Sequence, residues 1–409
     1  LAMLHGALAE LRLGRPDTLA VDVGPVIDAE ARAGIERHIE ALRERGRRVT
    51  RWQPRAPDHE AARQALQRGH FVAPTVIELD HLGELQREVF GPVLHVLRYQ
   101  RADLPALIEQ IHATGYGLTL GLHTRIDETI AQVSEAARVG NLYVNRNMVG
   151  AVVGLQPFGG EGLSGTGPKA GGPLYLYRLL ARRPDDVLAR ALGFVDAMNG
   201  GPATPPGDTP RSMATRSTAP RPALATLRDW AARQGDATLR QACDDLARRS
   251  EALGADGASR ELRGPTGERN RWQLRPREAV LCLAGSDADR LRQLAAALAV
   301  GSRAVWPASA SPLRERLPTE LRSAVTLCAD WTAEPARATF DAVLHHGDAV
   351  SLRTVCRQLA ERPGPIVGVT ALAPGDAAVP LERLLLERSL SVNTAAAGGN
   401  ASLMTLDAV

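Results

Sequence analysis

The sequence predicts an α/β protein whose mostly parallel sheets are covered by helices. Short apolar runs typical of strands alternate with amphipathic, helix-length segments up to about residue 183, and they do so again from about residue 223. Between these regions, residues 200–221 are rich in Pro, Gly, Ser and Thr and hold few large apolar side chains, as linkers do. We therefore expect a larger α/β region over 1–183, a helix and flexible linker over 184–222, and a smaller α/β region over 223–409.

In the first region, the spacing of apolar residues defines the individual elements. Asp28 precedes a segment in which Ile35, Ile39 and Leu42 recur at helical spacing, so Asp28 is expected to cap that helix. Strands are predicted near residues 49–52, 71–77, 92–97, 118–123 and 140–145, and helices over residues 104–113 and after a capping Asp127.

The second region repeats the pattern with shorter elements. Residues 390–395 also resemble residues 142–147, and each segment precedes a glycine-containing stretch, which agrees with two related α/β units. Strands are predicted near residues 279–284, 304–306, 340–344 and 365–369, and helices near residues 224–234, 239–253, 287–298 and 350–361. A further helix is predicted near residues 185–198, between the two regions.

The composition excludes several classes of function. The 409 residues include 49 basic and 46 acidic ones, a net charge of +3, so neither a nucleic-acid partner nor a membrane surface is expected. No segment approaches the roughly 20 apolar residues of a membrane span. The cysteines form no C-x-x-C pair, which predicts free, buried thiols in a reducing cytoplasm. They are Cys243, Cys282, Cys328 and Cys356.

A glycine-dense segment runs from Phe158 to Pro173. Its residues 160–165 fit G-x-G-x-x-G, but further Gly and Pro residues follow, so no helix can start there and a dinucleotide fingerprint is rejected. Consecutive glycines allow backbone N–H groups to converge on an anion without Cβ clashes. A flexible surface turn explains the same glycines equally well, and spacing alone does not decide between the two.

Glu88 and Phe90 stand one residue apart just before a predicted strand. In an extended segment, alternate side chains point the same way. A carboxylate beside an aromatic face suits a ribose diol and a flat heterocycle. A solvated Glu and a core Phe form the simpler interpretation, which is favoured without further context.

Motifs for metal-dependent or hydrolytic chemistry are missing from the sequence. It contains no H-E-x-x-H, no paired Cys/His set with zinc spacing and no Walker loop. His345 and His346 are adjacent on a predicted strand and so point to opposite faces, which makes a shared metal unfavourable. Serines lack the G-x-S-x-G context of a hydrolase.

Taken together, the ordered motifs of the first region resemble the second half of the aldehyde dehydrogenase superfamily. Residues 162–173 are more specifically similar to the L-glutamate γ-semialdehyde (Δ1-pyrroline-5-carboxylate) dehydrogenase module of the bifunctional proline utilization A family. Residues 391–404 resemble the C-terminal motif of its long forms. The superfamily motifs are residues 22–27, 71–75, 88–92, 116–121, 140–145 and 157–160.

The resemblance implies a reaction and a set of site residues. Glutamate semialdehyde, NAD+ and water would give glutamate and NADH, through attack by a cysteine thiolate and hydrolysis of the thioester. Glu88 would hold the nicotinamide ribose, Phe90 would back the nicotinamide ring, and Leu118 would line the cofactor site. The backbone amides of Gly171 and Gly172 would bind the substrate α-carboxylate, and Phe158 would pack near the aldehyde.

The sequence also departs from the family pattern. None of the cysteines stands in the context of the family nucleophile, which is expected upstream of Leu1 together with the general base, so no catalytic residue is assigned. The chain begins within an amphipathic helix without an initiator Met, which predicts a fragment. FAD would belong to a proline dehydrogenase module that this sequence lacks.

The second region resembles the start of an aldehyde dehydrogenase Rossmann domain that has lost its functional residues. Trp306 stands where the family has an adenosine-binding lysine, and Leu372 stands where it has the catalytic glutamate. We therefore expect a degenerate, non-catalytic domain with a role in subunit association or in covering a path between active sites.

Two alternatives to this function stay open. One is an aldehyde dehydrogenase for another acidic semialdehyde, and the other is a non-catalytic assembly scaffold. A homo-oligomer is expected in either enzymatic interpretation, because the superfamily associates through strands that correspond to residues 175–180.

Overall fold

The computed structural model describes residues 1–53, 64, 68–198, 221–253, 257–333 and 339–395. Most of the predicted linker over 200–221 and most of the motif over 391–404 lie outside these residues. By the density of their contacts, the residues divide into two compact units, Leu1–Thr114 (unit 1) and Gly115–Val409 (unit 2). Each unit is described by itself.

Unit 1 is a three-stranded sheet with helices packed against it. Strand β2 lies in the middle, antiparallel to β1 and parallel to β3. The Asp28 carboxylate accepts from the amide of Ala31 at 2.7 Å, and Ile35, Ile39 and Leu42 are buried, which confirms the predicted capped helix. The elements are α1 (Ala2–Glu10), α2 (Ala29–Glu44), β1 (Arg48–Arg51), β2 (Thr75–Leu79), β3 (Val93–Leu97) and α3 (Leu104–Ala113).

The first part of unit 2 consists of short elements and one long glycine-rich loop. The helix predicted near residues 185–198 is confirmed, and its apolar face is buried. The elements are β4 (Tyr116–Gly117), β5 (Thr119–Leu122), α4 (Asp127–Ala136), β6 (Asn141–Val144), β7 (Glu161–Gly162) and α5 (Val187–Met198).

The second part of unit 2 contains an all-parallel sheet of five strands in the order β12-β11-β10-β13-β14, as predicted for an α/β fold. The elements are α6 (Pro222–Arg233), α7 (Ala237–Ser250), β8 (Ala258–Leu262), β9 (Glu268–Pro276), β10 (Ala279–Ala284), α8 (Asp287–Val300), β11 (Arg303–Pro307), α9 (Ser311–Arg316), α10 (Thr319–Arg322), β12 (Val325–Cys328), β13 (Ala342–His346), α11 (Ala349–Glu361), β14 (Gly368–Leu372) and β15 (Leu385–Asn393).

A mixed sheet in the order β5-β6-β15-β9-β8 joins the two parts of unit 2. Strands β6 and β15 run parallel, with Leu142 opposite Leu390 and Val144 opposite Val392. The two segments whose sequences resemble each other therefore lie side by side in register. Because this sheet contains strands from both sides of residues 184–222, the compact units do not follow the predicted boundary, and the three-part division stays a prediction.

Three local predictions are corrected. Asp127 is the first residue of α4 rather than its cap; Ile126 occupies the N-cap without a side-chain bond. Residues 175–180, predicted to be strand, contain the 3-10 helix Leu176–Leu179, because a strand needs a neighbouring strand whereas this turn is closed locally by Arg178 N–H and Tyr175 O at 3.1 Å. Cys356 is exposed on α11, unlike the other three cysteines.

Candidate functional site

Glu88 and Phe90 lie in an extended loop of unit 1 that leads into β3. Val89 between them packs against the core of α2 and β2, while Glu88 is exposed and Phe90 is 87% exposed. The interpretation of Phe90 as a core residue is therefore wrong. At Gly91, a Cβ would lie 2.4 Å from Cδ1 of the buried Ile35, so a larger residue would require that side chain to shift. The loop presents a carboxylate and an aromatic ring to its surroundings.

The glycine-rich loop of unit 2 is folded back on itself. Phe158 and Ala170 exchange two backbone bonds, of 3.0 and 2.8 Å, and form an isolated antiparallel bridge. The next residues form a turn in which the amide of Gly172 donates to the carbonyl of Lys169 at 3.1 Å and Gly171 has φ +68°. The structure thus brings Phe158, Gly171 and Gly172 together. A carboxylate would have to compete with this turn for the Gly172 amide.

A buried amine holds the loop from within. Lys169 is 2% exposed, and its Nζ donates to Asn141 Oδ1 at 3.0 Å and to the carbonyl of Gly159. Burial lowers the pKa of Lys169 to about 8, although Glu387 and Glu161 act in the opposite direction. Sequence reasoning missed this residue, because lysines are almost always exposed; its being the only lysine of the chain was the available signal.

Asn141 is the second fixed point of the loop. Its Oδ1 also accepts from the amide of Gly159 at 3.2 Å, and its Nδ2 donates to the carbonyl of Pro157 at 3.0 Å. The backbone amide of Asn141 donates to the carbonyl of Leu118 at 3.0 Å. This bond joins Leu118, the predicted cofactor-site residue, to the residue that holds the loop. The Leu118 side chain is 39% exposed. Residues on both sides of Phe158 are therefore bonded to one buried side chain.

Glu387 of β15 holds the other end of the loop. Its Oε2 accepts from the backbone amide of Lys169 at 2.7 Å, and its Oε1 accepts from Trp272 Nε1 at 3.0 Å. Burial raises the pKa of Glu387, while these two donors oppose the rise. A Cβ on Gly172 would lie 3.1 Å from Glu387 Oε1, so the turn packs closely on this carboxyl group.

A second buried pair joins the loop to β15. Arg388 forms a two-bond ion pair with Glu161, with Nη2 and Oε2 2.9 Å apart, and both side chains are largely buried. Ser389 Oγ donates to the carbonyl of Pro157 at 2.7 Å. Three consecutive residues of one strand, 387–389, thus contact the glycine-rich loop.

An exposed apolar segment beside the loop was also missed by the sequence analysis. Val149 and Val153 are 92% and 87% exposed, and the space for a Cβ on Gly171 lies 3.5 Å from Val153 Cγ1. The Val-Val-Gly run at residues 152–154, shortly before the glycine-rich loop, was the available signal. Exposed apolar side chains beside a polar backbone turn are suited to an amphipathic ligand or to a covering chain segment.

The parallel sheet offers a second place where a nucleotide could bind, between the carboxyl ends of β10 and β13, where the strand order reverses. Here the protein fills the crevice itself. The buried Asp289 carboxylate accepts from the amide of Gly375 at 3.1 Å near the start of α8. Gln293 Nε2 lies 2.9 Å from His346 Nδ1. A pyrophosphate would meet a carboxylate at this helix N-terminus, so these residues do not fit a dinucleotide.

Trp306 and Leu372, the two residues at which the resemblance implied lost functional groups, are packed in the core. Trp306 is fully buried in β11, and Leu372 ends β14 as a buried residue. Neither position offers the cation or the base that catalysis needs. Burial also raises the pKa of Cys243 and of Cys282 to about 12, so neither thiol is poised as a nucleophile.

The described residues show two further absences. No group of three His, Cys, Asp or Glu side chains among them is arranged to hold a metal ion. Within the same residues, no helix combines the length and apolar character needed to cross a bilayer.

Comparison with known proteins gives consistent matches. Residues 1–182 match the aldehyde dehydrogenase family. The bifunctional protein PutA of Escherichia coli (strain K12) is 55% identical over 410 residues, which cover 99% of this chain and 29% of that protein. A 1-pyrroline-5-carboxylate dehydrogenase of Bacillus licheniformis is 38% identical over 167 residues, or 40% of this chain and 30% of that protein.

A solved structure extends the comparison to the fold of nearly the whole chain. Proline utilization A (PutA) from Corynebacterium freiburgense matches with a TM-score of 0.57 at 21% identity, over 96% of this chain and 34% of that one. At this identity the match concerns the fold alone. The chain spans less than a third of the length of the curated relatives named above.

Proposed function

We propose that this chain is part of an NAD-dependent L-glutamate γ-semialdehyde dehydrogenase of proline catabolism, because its residues 1–182 match the aldehyde dehydrogenase family. The reaction converts the semialdehyde, NAD+ and water into glutamate, NADH and protons. The chain supplies contacts to cofactor and substrate, and the nucleophilic thiol comes from a segment that precedes Leu1. The similarity to the PutA protein of Escherichia coli over nearly the whole chain supports this assignment.

The observation that carries the proposal is the glycine-rich loop. Its turn at Gly171 stands next to the partly exposed ring of Phe158 and the exposed Val153 side chain. A backbone turn beside apolar surface suits a short aliphatic aldehyde whose other end is a carboxylate. The same features would serve another acidic semialdehyde, which is the alternative substrate.

The exposed pair in unit 1 supports a nicotinamide cofactor. Glu88 would accept hydrogen bonds from the ribose hydroxyls, and Phe90 would pack behind the nicotinamide ring. When bound, NAD+ accepts the hydride of the aldehyde carbon. The resemblance also implies that Leu118, which is 39% exposed, lines a cofactor site.

Two proteins test the proposal: this chain alone and a longer protein that adds the upstream segments of the parent. NADH formation from glutamate semialdehyde is expected only with the longer protein, because none of the four cysteines of this chain stands in the sequence context of the family nucleophile. A longer protein that is well folded yet inactive on the semialdehyde would refute the assignment and favour the scaffold alternative.

Matched variants of the longer protein test the cofactor contact. Phe90→Ala should raise KM for NAD+ by about fivefold, because one stacked aromatic contact contributes about 1 kcal/mol. Ile27→Ala is the control, since Ile27 is an equally exposed apolar residue of unit 1 at 90% exposure. Equal KM values for NAD+ in both variants would exclude Phe90 from the cofactor site.

We also propose that the parent protein self-associates through residues 175–180. Leu176 and Leu179 are 72% and 69% exposed, although a 3-10 helix of this length gains little from local bonds alone. Replacing both by Ser should lower the molecular mass measured by light scattering. An unchanged mass would place the interface elsewhere.

The scaffold alternative draws its support from the second sheet. Its nucleotide crevice is filled by Asp289, and the positions of base and cation hold Leu372 and Trp306. We propose a structural role for this region within the enzyme. If removal of residues 223–409 from the parent abolishes self-association or activity, that role is supported. If the shortened protein keeps both, that role is refuted.

A further inference from the structure

The burial of Lys169 calls for an explanation beyond stability. An ammonium group removed from water is unfavourable, and the lowered pKa of Lys169 reflects this. A methionine or leucine of similar volume would fill the same space without that cost. The bonds of the amine therefore indicate what it is retained for.

Those bonds converge on the segment that contains Phe158. Nζ donates to the carbonyl of Gly159 and to Asn141 Oδ1, and Asn141 in turn holds the amide of Gly159 and the carbonyl of Pro157. The residue after Lys169, Ala170, pairs with both backbone groups of Phe158. Lys169 thus connects the two sides of the Phe158–Ala170 bridge, through its own side chain and through the neighbouring Ala170.

The other contacts of Lys169 point toward the turn at Gly171. Its carbonyl accepts from the amide of Gly172 at 3.1 Å, and its amide donates to Glu387 at 2.7 Å. All three polar groups of this residue are therefore occupied in shaping the loop, and its side chain is too deeply buried to act as a surface charge.

We propose that Lys169 is a positioning residue of the aldehyde site, holding Phe158 and the Gly171 turn in the geometry that recognises a carboxylate-bearing aldehyde. This inference rests on the proposed function, because it assigns the loop to the substrate. Preorganisation of this kind lowers the cost of ordering the loop upon binding, so its loss acts on substrate affinity and selectivity. Lys169 contacts the loop rather than the reacting atoms.

The test uses the full-length parent enzyme and its Lys169→Met variant, with glutamate semialdehyde and propionaldehyde as substrates. We expect KM for the semialdehyde to rise by about tenfold, as for loss of a charge-assisted hydrogen bond, with kcat changed by less than about twofold. KM for NAD+ should stay the same, and KM for propionaldehyde, which lacks a carboxylate, should rise much less than KM for the semialdehyde. Lys169→Arg, which keeps a cation and its donors, should recover part of the affinity.

Arg240→Met is the control, because Arg240 is an exposed cation of the same unit and lies outside the glycine-rich loop and residues 175–180. This variant should leave KM unchanged for glutamate semialdehyde and for propionaldehyde. The inference is overturned if Lys169→Met raises KM equally for both aldehydes and for NAD+, or if it leaves KM for the semialdehyde unchanged. If the Met variant does not fold, faster amide exchange across residues 158–172 in Lys169→Arg would support the inference, and unchanged exchange would overturn it. A wild-type enzyme inactive on the semialdehyde would instead refute the proposed function.

Discussion

Gly140 allows the sharpest test of how the glycine-rich loop is seated. A Cβ at this position would lie 1.8 Å from Gly159 O, 2.8 Å from Gly159 C and 2.9 Å from Gly160 Cα. These separations are far below the roughly 3.5 Å at which carbon atoms make favourable contact. All three atoms belong to backbone, so no side chain can rotate away.

Gly140 itself, directly before β6, is also held in place by its backbone bonds. Its amide donates to Gly117 O at 3.0 Å and its carbonyl accepts from the amide of Ser389 at 2.8 Å. In Gly140→Ala the loop must therefore move, which breaks its bonds to Asn141 and Lys169. Overpacking costs about 1–3 kcal/mol, and each lost bond adds about 1 kcal/mol, so we expect a loss of roughly 3–5 kcal/mol in the free energy of unfolding.

Urea unfolding followed by tryptophan fluorescence measures this loss, since Trp272 contacts Glu387 beside the loop. Gly193→Ala is the matched control, because Gly193 lies inside α5 and has no atom within 4 Å of the added methyl group. That variant should be more stable than the wild type by about 1 kcal/mol. A Gly140→Ala protein as stable as the wild type would refute the close approach of the loop.

Further predictions concern buried charges. The pKa of Lys169 falls from 10.5 to about 8 on folding, so the unfolded chain binds the proton more tightly at pH values between these two. The free energy of unfolding should therefore rise by about 3 kcal/mol as pH increases across this window. Lys169→Met should abolish this rise when urea unfolding is measured at several pH values. Burial and the neighbouring His38 lower the pKa of His95 to about 4, so unit 1 should lose stability as pH falls from 6.5 toward 4. His95→Phe should weaken this loss. An acid transition identical to that of the wild type would contradict the prediction. Arg388→Met should destabilise unit 2 by about 3–5 kcal/mol by leaving Glu161 buried without its partner, whereas adding Glu161→Gln should restore part of the loss in the same denaturation assay.

Local periodicity was enough to predict most elements. Ile35, Ile39 and Leu42 recur at helical spacing and are buried on one face of α2, and the apolar run at residues 279–284 forms the central strand of the parallel sheet. Both predictions depend on neighbours in sequence, where backbone geometry alone sets which side chains share a face. Alternation also predicted that Glu88 and Phe90 point the same way, but it did not reveal that Phe90 is exposed, and the favoured interpretation as a core residue was wrong.

Contacts between distant segments could not be predicted in this way. The pairing of β6 with β15 follows from the shape of the whole sheet, and only the weak similarity of residues 142–147 and 390–395 hinted at it. Lys169 was overlooked because its burial depends on Asn141, Gly159 and Glu387, which come from three separate segments. The 3-10 helix at Leu176–Leu179 differs from the predicted strand because strand formation depends on a neighbour outside the segment.

The position of β15 has a consequence for biosynthesis. This strand lies in the centre of the mixed sheet, between β6 and β9, although it is translated long after β6. At about 5–20 residues per second, on the order of tens of seconds pass between the emergence of the two strands from the ribosome. During that interval the edge of β6 and the bonding groups of the glycine-rich loop have no strand to receive them. Ribosome-bound nascent chains that end before residue 385 should therefore depend most on chaperones.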